Sequence, residues 1–115
     1  MTIESTLETV LGDTYPIYPF SVPKDGQYPC FVFQRISTVP IRSFDGNEGN
    51  KARIQLSCWG EDYGETETLA DYAGMMLDLN DTDFVFAYKQ NEFDDQEENT
   101  KQVRKILEFF VTEEI

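Results

Sequence analysis

Apolar residues recur along this chain with two different periods, and the switches between them mark its elements. Ile3, Leu7, Val10 and Leu11 fall on one face of a short helix, with Thr2 as its N-cap and Gly12-Asp13 as its stop. Pro16, Pro19 and Pro23 exclude a helix over residues 15–24 and leave an extended connection, with an edge strand at residues 17–20. After the turn signal Asp25-Gly26 and Pro29, residues 30–39 are rich in β-branched and aromatic side chains and read as a strand. A second strand follows at residues 52–59, where Ile54, Leu56 and Cys58 alternate with Arg53, Gln55 and Ser57.

Residues 40–51 lie between these strands and carry Gly46 and Gly49 among Asp45, Asn47, Glu48 and Asn50, the composition of a long flexible hairpin connection. Folding the strands symmetrically about Phe44 sets Cys30 opposite Cys58, Val32 opposite Leu56, Gln34 opposite Ile54 and Ile36 opposite Ala52. That register places the two cysteines side by side. It also sets Arg35 against Arg53 on the other face, a like-charge pair that calls for a carboxylate or a partner.

Gly60 breaks the second strand, and Asp62 or Tyr63 opens a helix to about Leu79, with Thr66, Leu69, Ala70, Ala73, Met76 and Leu77 on one face. A third strand is expected at residues 84–89. An acidic loop follows at 91–100, containing Asp94, Asp95, Glu97 and Glu98. The last strand, residues 102–112, has Val103, Leu107, Phe109 and Val111 on one side and Ile106 and Phe110 on the other. A sheet covered by helices on one side needs only one apolar face, so Ile106 and Phe110 are expected to be exposed and to seek a second layer or a subunit. The expected fold is one α+β domain over residues 1–115. Its small, mainly antiparallel sheet has about four or five strands packed by two helices, in the order α-β-β-α-β-β with long hairpin loops.

Composition narrows what such a domain does. Nine basic residues against 22 acidic give a net charge of −13, which disfavours ordinary binding to phosphate backbones. Three readings fit that charge: a well-solvated acidic domain, a surface that must not hold DNA passing beside it, or a mimic of DNA that occupies a DNA-binding protein. With no histidine, the commonest general base and imidazole metal ligand are missing, and Ser-His and Cys-His pairs are excluded. Two cysteines are too few for a thiolate zinc site and read as core thiols in a reducing cytosol. No enzyme activity, cofactor or metal is expected, and no membrane span, because no apolar run approaches the roughly 18 residues required. The first residues lack the basic and apolar regions of a signal peptide, so a cytosolic chain is expected.

The segment Tyr28-Pro29-Cys30-Phe31-Val32-Phe33-Gln34-Arg35-Ile36-Ser37, followed by Phe44-Asp45-Gly46 and then Ala52-Arg53-Ile54-Gln55-Leu56-Ser57-Cys58-Trp59, resembles the tail completion proteins of long-tailed bacteriophages. These are also called tail-to-head joining or tail terminator proteins. Tyr63-x-Glu65, Leu69-Ala70 and the terminal strand around Leu107-Glu108-Phe109 extend the resemblance over nearly the whole chain. It implies an α+β fold, no catalysis, and a homo-oligomeric ring, usually a hexamer. Such a ring would stand at the head-tail junction of the virion, contacting the tail tube protein and a head-completion or connector protein. Carried over, Ile41, Arg42, Phe44, Asp45 and Asn47 become a candidate partner or subunit contact, and Ile106 and Phe110 a ring contact. From the charge itself, Asp94, Asp95, Glu97 and Glu98 are expected to form a lumen-facing acidic loop that repels genomic DNA and lets it slide past. The competing expectation is an acidic DNA mimic that inhibits a DNA-binding protein.

Overall fold

The computed structural model describes residues 3–43, 46–81, 86–96 and 103–113. Its elements are α1 (Ile3–Leu11), β1 (Ile17–Pro19), β2 (Cys30–Ser43), β3 (Gly46–Gly60), α2 (Tyr63–Leu77), β4 (Phe86–Gln96) and β5 (Val103–Glu113). The strands form one sheet in the order β1-β2-β3-β5-β4, with β1 parallel to β2 and every other pair antiparallel. The sheet is therefore mixed, and the order is α-β-β-β-α-β-β rather than the expected α-β-β-α-β-β. The element missing from that order is β1, the short proline-bounded edge strand expected at residues 17–20. It is held where the Phe31 amide donates to the Pro16 carbonyl and the Phe20 amide donates to the Phe33 carbonyl.

Both helices lie on one face of the sheet. Ile3, Leu7, Val10 and Leu11 of α1 and Leu69, Ala70, Ala73 and Leu77 of α2 share one core with Phe31, Phe33, Ile54, Leu56, Leu107 and Phe109. Alternation in β3 and β5 produces this face directly, since every second side chain points to it. Helix α2 starts where predicted. Asp62 caps it, its Oδ1 accepting from the Glu65 amide at 2.9 Å, and the Glu65 carboxylate accepts from the Glu61 amide. Gly60 is required just before it, because a Cβ there would lie 2.8 Å from Glu65 Cβ.

Two sequence expectations are overturned in the first hairpin. Phe31 pairs with Cys58, Val32 with Ser57 and Phe33 with Leu56, one residue away from the symmetric register. Cys30 pairs with Trp59, so the two cysteines lie on opposite faces of the sheet. Arg35 and Arg53 also part: Arg35 pairs with Ile54 on the helix face, and Arg53 pairs with Ser37 on the other. The cause is that β2 is apolar on both faces at this end, so alternation alone does not choose one. Turning Phe31 and Phe33 to the helices removes more apolar area from water than turning Cys30 and Val32. Register shifts between Arg35 and Ser37 and between Ile41 and Arg42 then defeat a symmetric count.

The long loops are also largely strand. The ladder continues through residues 40–51 until Ser43 pairs with Gly46, whose φ of 114° favours glycine. The molecule's 52 Å long axis is about what the fifteen residues of β3 span at roughly 3.3 Å each. Likewise β4 continues past Lys89 to Gln96, with a register shift between Lys89 and Asn91. Residues 84 and 85, expected in this strand, and 97–100 of the expected acidic loop lie outside the described residues. Asp94 and Asp95 are in strand because Lys105 and Arg104 stand directly opposite them on β5.

At the end of α2, Leu79 occupies the left-handed region with φ of 58° and is 68% exposed. A side chain there costs about 1–2 kcal/mol that glycine avoids, and little burial is lost by removing it. Leu79→Gly is expected to raise stability by about 1 kcal/mol, read as a higher urea midpoint at unchanged slope.

Candidate interaction surfaces

The helix-free face of the sheet is built from the alternate residues of the same strands, and it is neither bare nor wholly polar. Arg53 on β3 donates from Nε and Nη2 to Oε2 of Glu108 on β5, a cross-strand pair that leaves Glu108 buried. Beside it, Lys51 Nζ lies 4.3 Å from the centroid of the Phe110 ring and 5.4 Å from that of Tyr88. Phe86, Tyr88 and Phe110 continue as an aromatic row with centroid separations of 5.9 and 5.6 Å. Phe110 is thus half-buried within its own chain. Ile106, expected to be exposed, is only 4% exposed, flanked by Ser57 and Phe93 in the ladder. It has neighbours on both adjacent strands, Phe93 the larger of them, which a reading of one strand at a time misses.

A cavity of about 420 Å³ opens on the same face, with Phe20, Val22, Tyr28, Gln55, Trp59 and Arg104 among its lining. Its wall is the segment between β1 and β2. The Arg104 guanidinium lies 5.1 Å from the Trp59 ring centroid, and Phe20, with φ of 67°, is 76% exposed at the rim. The sequence offered one signal for this segment, the cluster of Pro19, Pro23 and Pro29, which excludes a helix there.

On the helix side, an ion cluster ties α2 to the second hairpin. Lys105, 6% exposed, donates Nζ to Glu67 Oε1, with Asp94 Oδ1 at 3.3 Å and Glu92 Oε2 at 3.8 Å. Tyr63 donates its hydroxyl to Asp94 Oδ2, and Lys105 Nζ lies 5.3 Å from the centre of the Tyr63 ring. Burial disfavours the Lys105 ammonium, but Glu67 and Asp94 outweigh it and hold its pKa well above the usual value. The hydrogen bonds from Lys105 and Tyr63 hold Glu67 below its usual 4.5. On α1, burial works against the Glu4 carboxylate. Its backbone hydrogen bond and the Arg35 guanidinium, Nε to Oε1 at 3.0 Å, nonetheless hold its pKa down.

Of the residues singled out from sequence, Ile41 and Arg42 lie on β2 at the far end of the hairpin, and Asn47 stands opposite Arg42 on β3. Phe44 and Asp45, between the strands, and Glu97 and Glu98 lie outside the described residues. Asp94 belongs to the Lys105 cluster, not to a loop tip. The thiols of Cys30 and Cys58 are fully buried; burial raises Cys30 to about 11 and pushes Cys58 higher still. Among the described residues, no helix is long and apolar enough to cross a membrane.

The described domain thus has two layers, one helix-free sheet face, a hairpin paired out to Ser43 and Gly46, and ion pairs that tie its elements together. The family model described as tail completion protein gp17 matches residues 4–111, and the chain belongs to this family of tail completion proteins. Among solved structures, a chain of "Virion of native gene transfer agent (GTA) particle" superposes with a TM-score of 0.72 at 14% identity, covering 95% of this chain and 84% of that one. At that identity the likeness is one of fold. No curated protein matches the chain.

The signs of the shifts fix the pH response. Glu67, with a lowered pKa, adds stability that is present above 4.5 and is lost as pH falls through its folded value. Lys105, with a raised pKa, adds stability that is complete below 10.5 and fades only as strong alkali deprotonates it. Lys105→Met is therefore expected to lower Tm at pH 7. Acidification below about pH 4.5 should then lower its Tm less than that of the parent protein, as measured by thermal melts from pH 7 to pH 3.

Proposed function

We propose that this chain assembles as a ring, most simply of six copies, at the head-proximal end of the tail of a long-tailed phage. There it ends the tail tube, joins it to the head-completion or connector protein and lets genomic DNA pass. The observation that carries this reading is the family match across residues 4–111. The structural relative comes from a virion particle, in keeping with this reading.

The surface chemistry supports the same role. The projecting end of the β2–β3 hairpin, with Ile41, Arg42, Phe44, Asp45 and Asn47, is the contact for a tube or connector protein or for a neighbouring subunit. Phe110 belongs to the face available for ring contacts, and the buried Ile106 lies further along the same face of β5. At −13 per copy, a ring presents DNA with a field that repels phosphates, so DNA passes without sequence-specific binding. Asp94, Asp95, Glu97 and Glu98 are the acids assigned to the lumen.

Light scattering with negative-stain imaging tests the reading, at low and high salt and with and without purified tail tubes. The expected result is a particle of about six times 13.3 kDa, free or on tube ends, and more abundant at higher ionic strength because screening relieves the repulsion between copies. A monomer that ignores tubes but captures a DNA-binding protein would instead support the acidic-mimic reading.

A further inference from the structure

The chain leaves the sheet edge abruptly at Phe20. Strand β1 runs beside β2 only as far as Pro19 opposite Phe33, and the Phe20 amide still donates to the Phe33 carbonyl. The Ser21 amide then donates to the Pro19 carbonyl at 2.8 Å, closing a three-residue turn around Phe20 at φ of 67°. This is the rare, strained form of a γ-turn, in a backbone conformation that glycine adopts freely and a side chain resists. The Phe20 side chain is 76% exposed, so burial within this chain does not offset the strain.

Phe20 stands at the rim of the cavity on the helix-free face, whose volume of about 420 Å³ lies within the roughly 300–1,000 Å³ of ligand pockets. The wall is held in place by the chain itself. The Gly26 amide donates to the Pro23 carbonyl at 2.9 Å, and the Gln27 amide donates to the Tyr18 hydroxyl at 3.2 Å. The floor is neutral and polar: Gln34 and Gln55 face one another across the β2–β3 ladder, and the buried Ser57 lies two residues further along β3. Neither glutamine side-chain amide has a hydrogen-bond partner among the described residues. Each offers donors and an acceptor in one plane, the complement of a peptide group. Tyr28, Trp59 and Phe20 add aromatic surface for an apolar side chain. Arg104 lies over Trp59 and stands opposite Asp95 in the ladder, so their formal charges cancel and the cavity has no positive excess to recruit an anion.

We propose that this cavity receives one extended, uncharged segment of a partner protein, with a backbone amide of that segment bonded by Gln34 and Gln55 and an apolar side chain seated among Phe20, Tyr28 and Trp59. The choice of partner, the tail tube protein or the connector protein, rests on the tail-junction reading above. Nucleic acid is disfavoured by the net charge of −13. Because the wall is already ordered, little conformational freedom is lost when the segment enters. The docked partner covers Phe20, giving the strained turn the contacts that this chain alone does not provide.

Trp59 is the only tryptophan of the chain, so its fluorescence reports on the cavity. The full chain is titrated with short overlapping peptides spanning the tail tube and connector proteins, and then with the intact proteins, while acrylamide quenching of Trp59 is followed. The expected result is that peptides sharing one uncharged segment shield Trp59 and saturate at one per chain, and that placing Asp at the apolar position of that segment abolishes the shielding. Phe20→Gly should weaken binding about tenfold while its urea midpoint is no lower than the parent's, because strain is relieved and little burial is lost. Gln55→Leu should weaken binding about fivefold, and Met75→Ser, at an exposed position on α2, should leave it unchanged. Binding that leaves Trp59 as open to acrylamide as before, or that is equally tight for Phe20→Gly and Gln55→Leu, would overturn the cavity as the site. Shielding by further copies of the chain alone, or by an oligonucleotide, would overturn the assigned occupant. A chain that joins tubes to connectors with Trp59 still open overturns this inference only, whereas one that binds neither protein overturns the tail-junction reading as well.

Discussion

The fold depends on the antiparallel pairing of β3 with β5 at the middle of the sheet. Their alternate residues, Ala52, Ile54, Leu56 and Cys58 on one strand and Leu107, Phe109 and Val111 on the other, form the floor on which both helices rest. The pairing runs from Asn50–Glu113 to Gly60–Val103 without a register shift, unlike the ladders on either side of it. Irregularity is confined to the outer strands, where bulges aim side chains without disturbing the core. A residue lost from the floor would leave a cavity between two layers with no third layer to collapse into it, placing such changes among the costliest of core truncations, about 2–5 kcal/mol.

Having helices on only one side gives the other face a separate problem. Exposed apolar strands aggregate, and buried unpaired charges are costly, so the helix-free face uses both kinds of residue in combination. Arg53 with Glu108 and Lys51 over Phe110 and Tyr88 let the same positions be partly apolar and still hydrated. On the helix side, Lys105 plays the corresponding part. It is a cation set among three carboxylates, and it lets the acidic β4 lie against the acidic start of α2.

How much of this was legible in the sequence depended on whether one pattern or two competed. Both helices, the Asp62 cap and the inner face of β3 follow from simple periodicity, because Ile54, Leu56 and Cys58 have polar neighbours that leave no alternative. In β2, Cys30, Phe31, Val32 and Phe33 are all apolar, and the face was decided by volume and by bulges that a count of residues does not reveal. Acidic residues at 94 and 95, taken alone, have the composition of a solvated loop, and nothing in one segment shows that Arg104 and Lys105 of the last strand stand opposite them. Pairing, which is a property of two segments, made them a strand. The candidate contact residues were found through resemblance. Their placement at the far end of a ladder came from the register.

That last feature changes what recognition by the hairpin involves. A flexible loop of a dozen residues gives up conformational freedom when it meets a partner, and that loss subtracts from affinity. Here the strands are already paired up to Ser43 and Gly46, so most of that ordering is complete before any encounter. In the contact role proposed for it, the hairpin would therefore be a gauge rather than a grip. A surface at the right distance and angle meets it without further cost, and one that is misplaced gains nothing from adaptation.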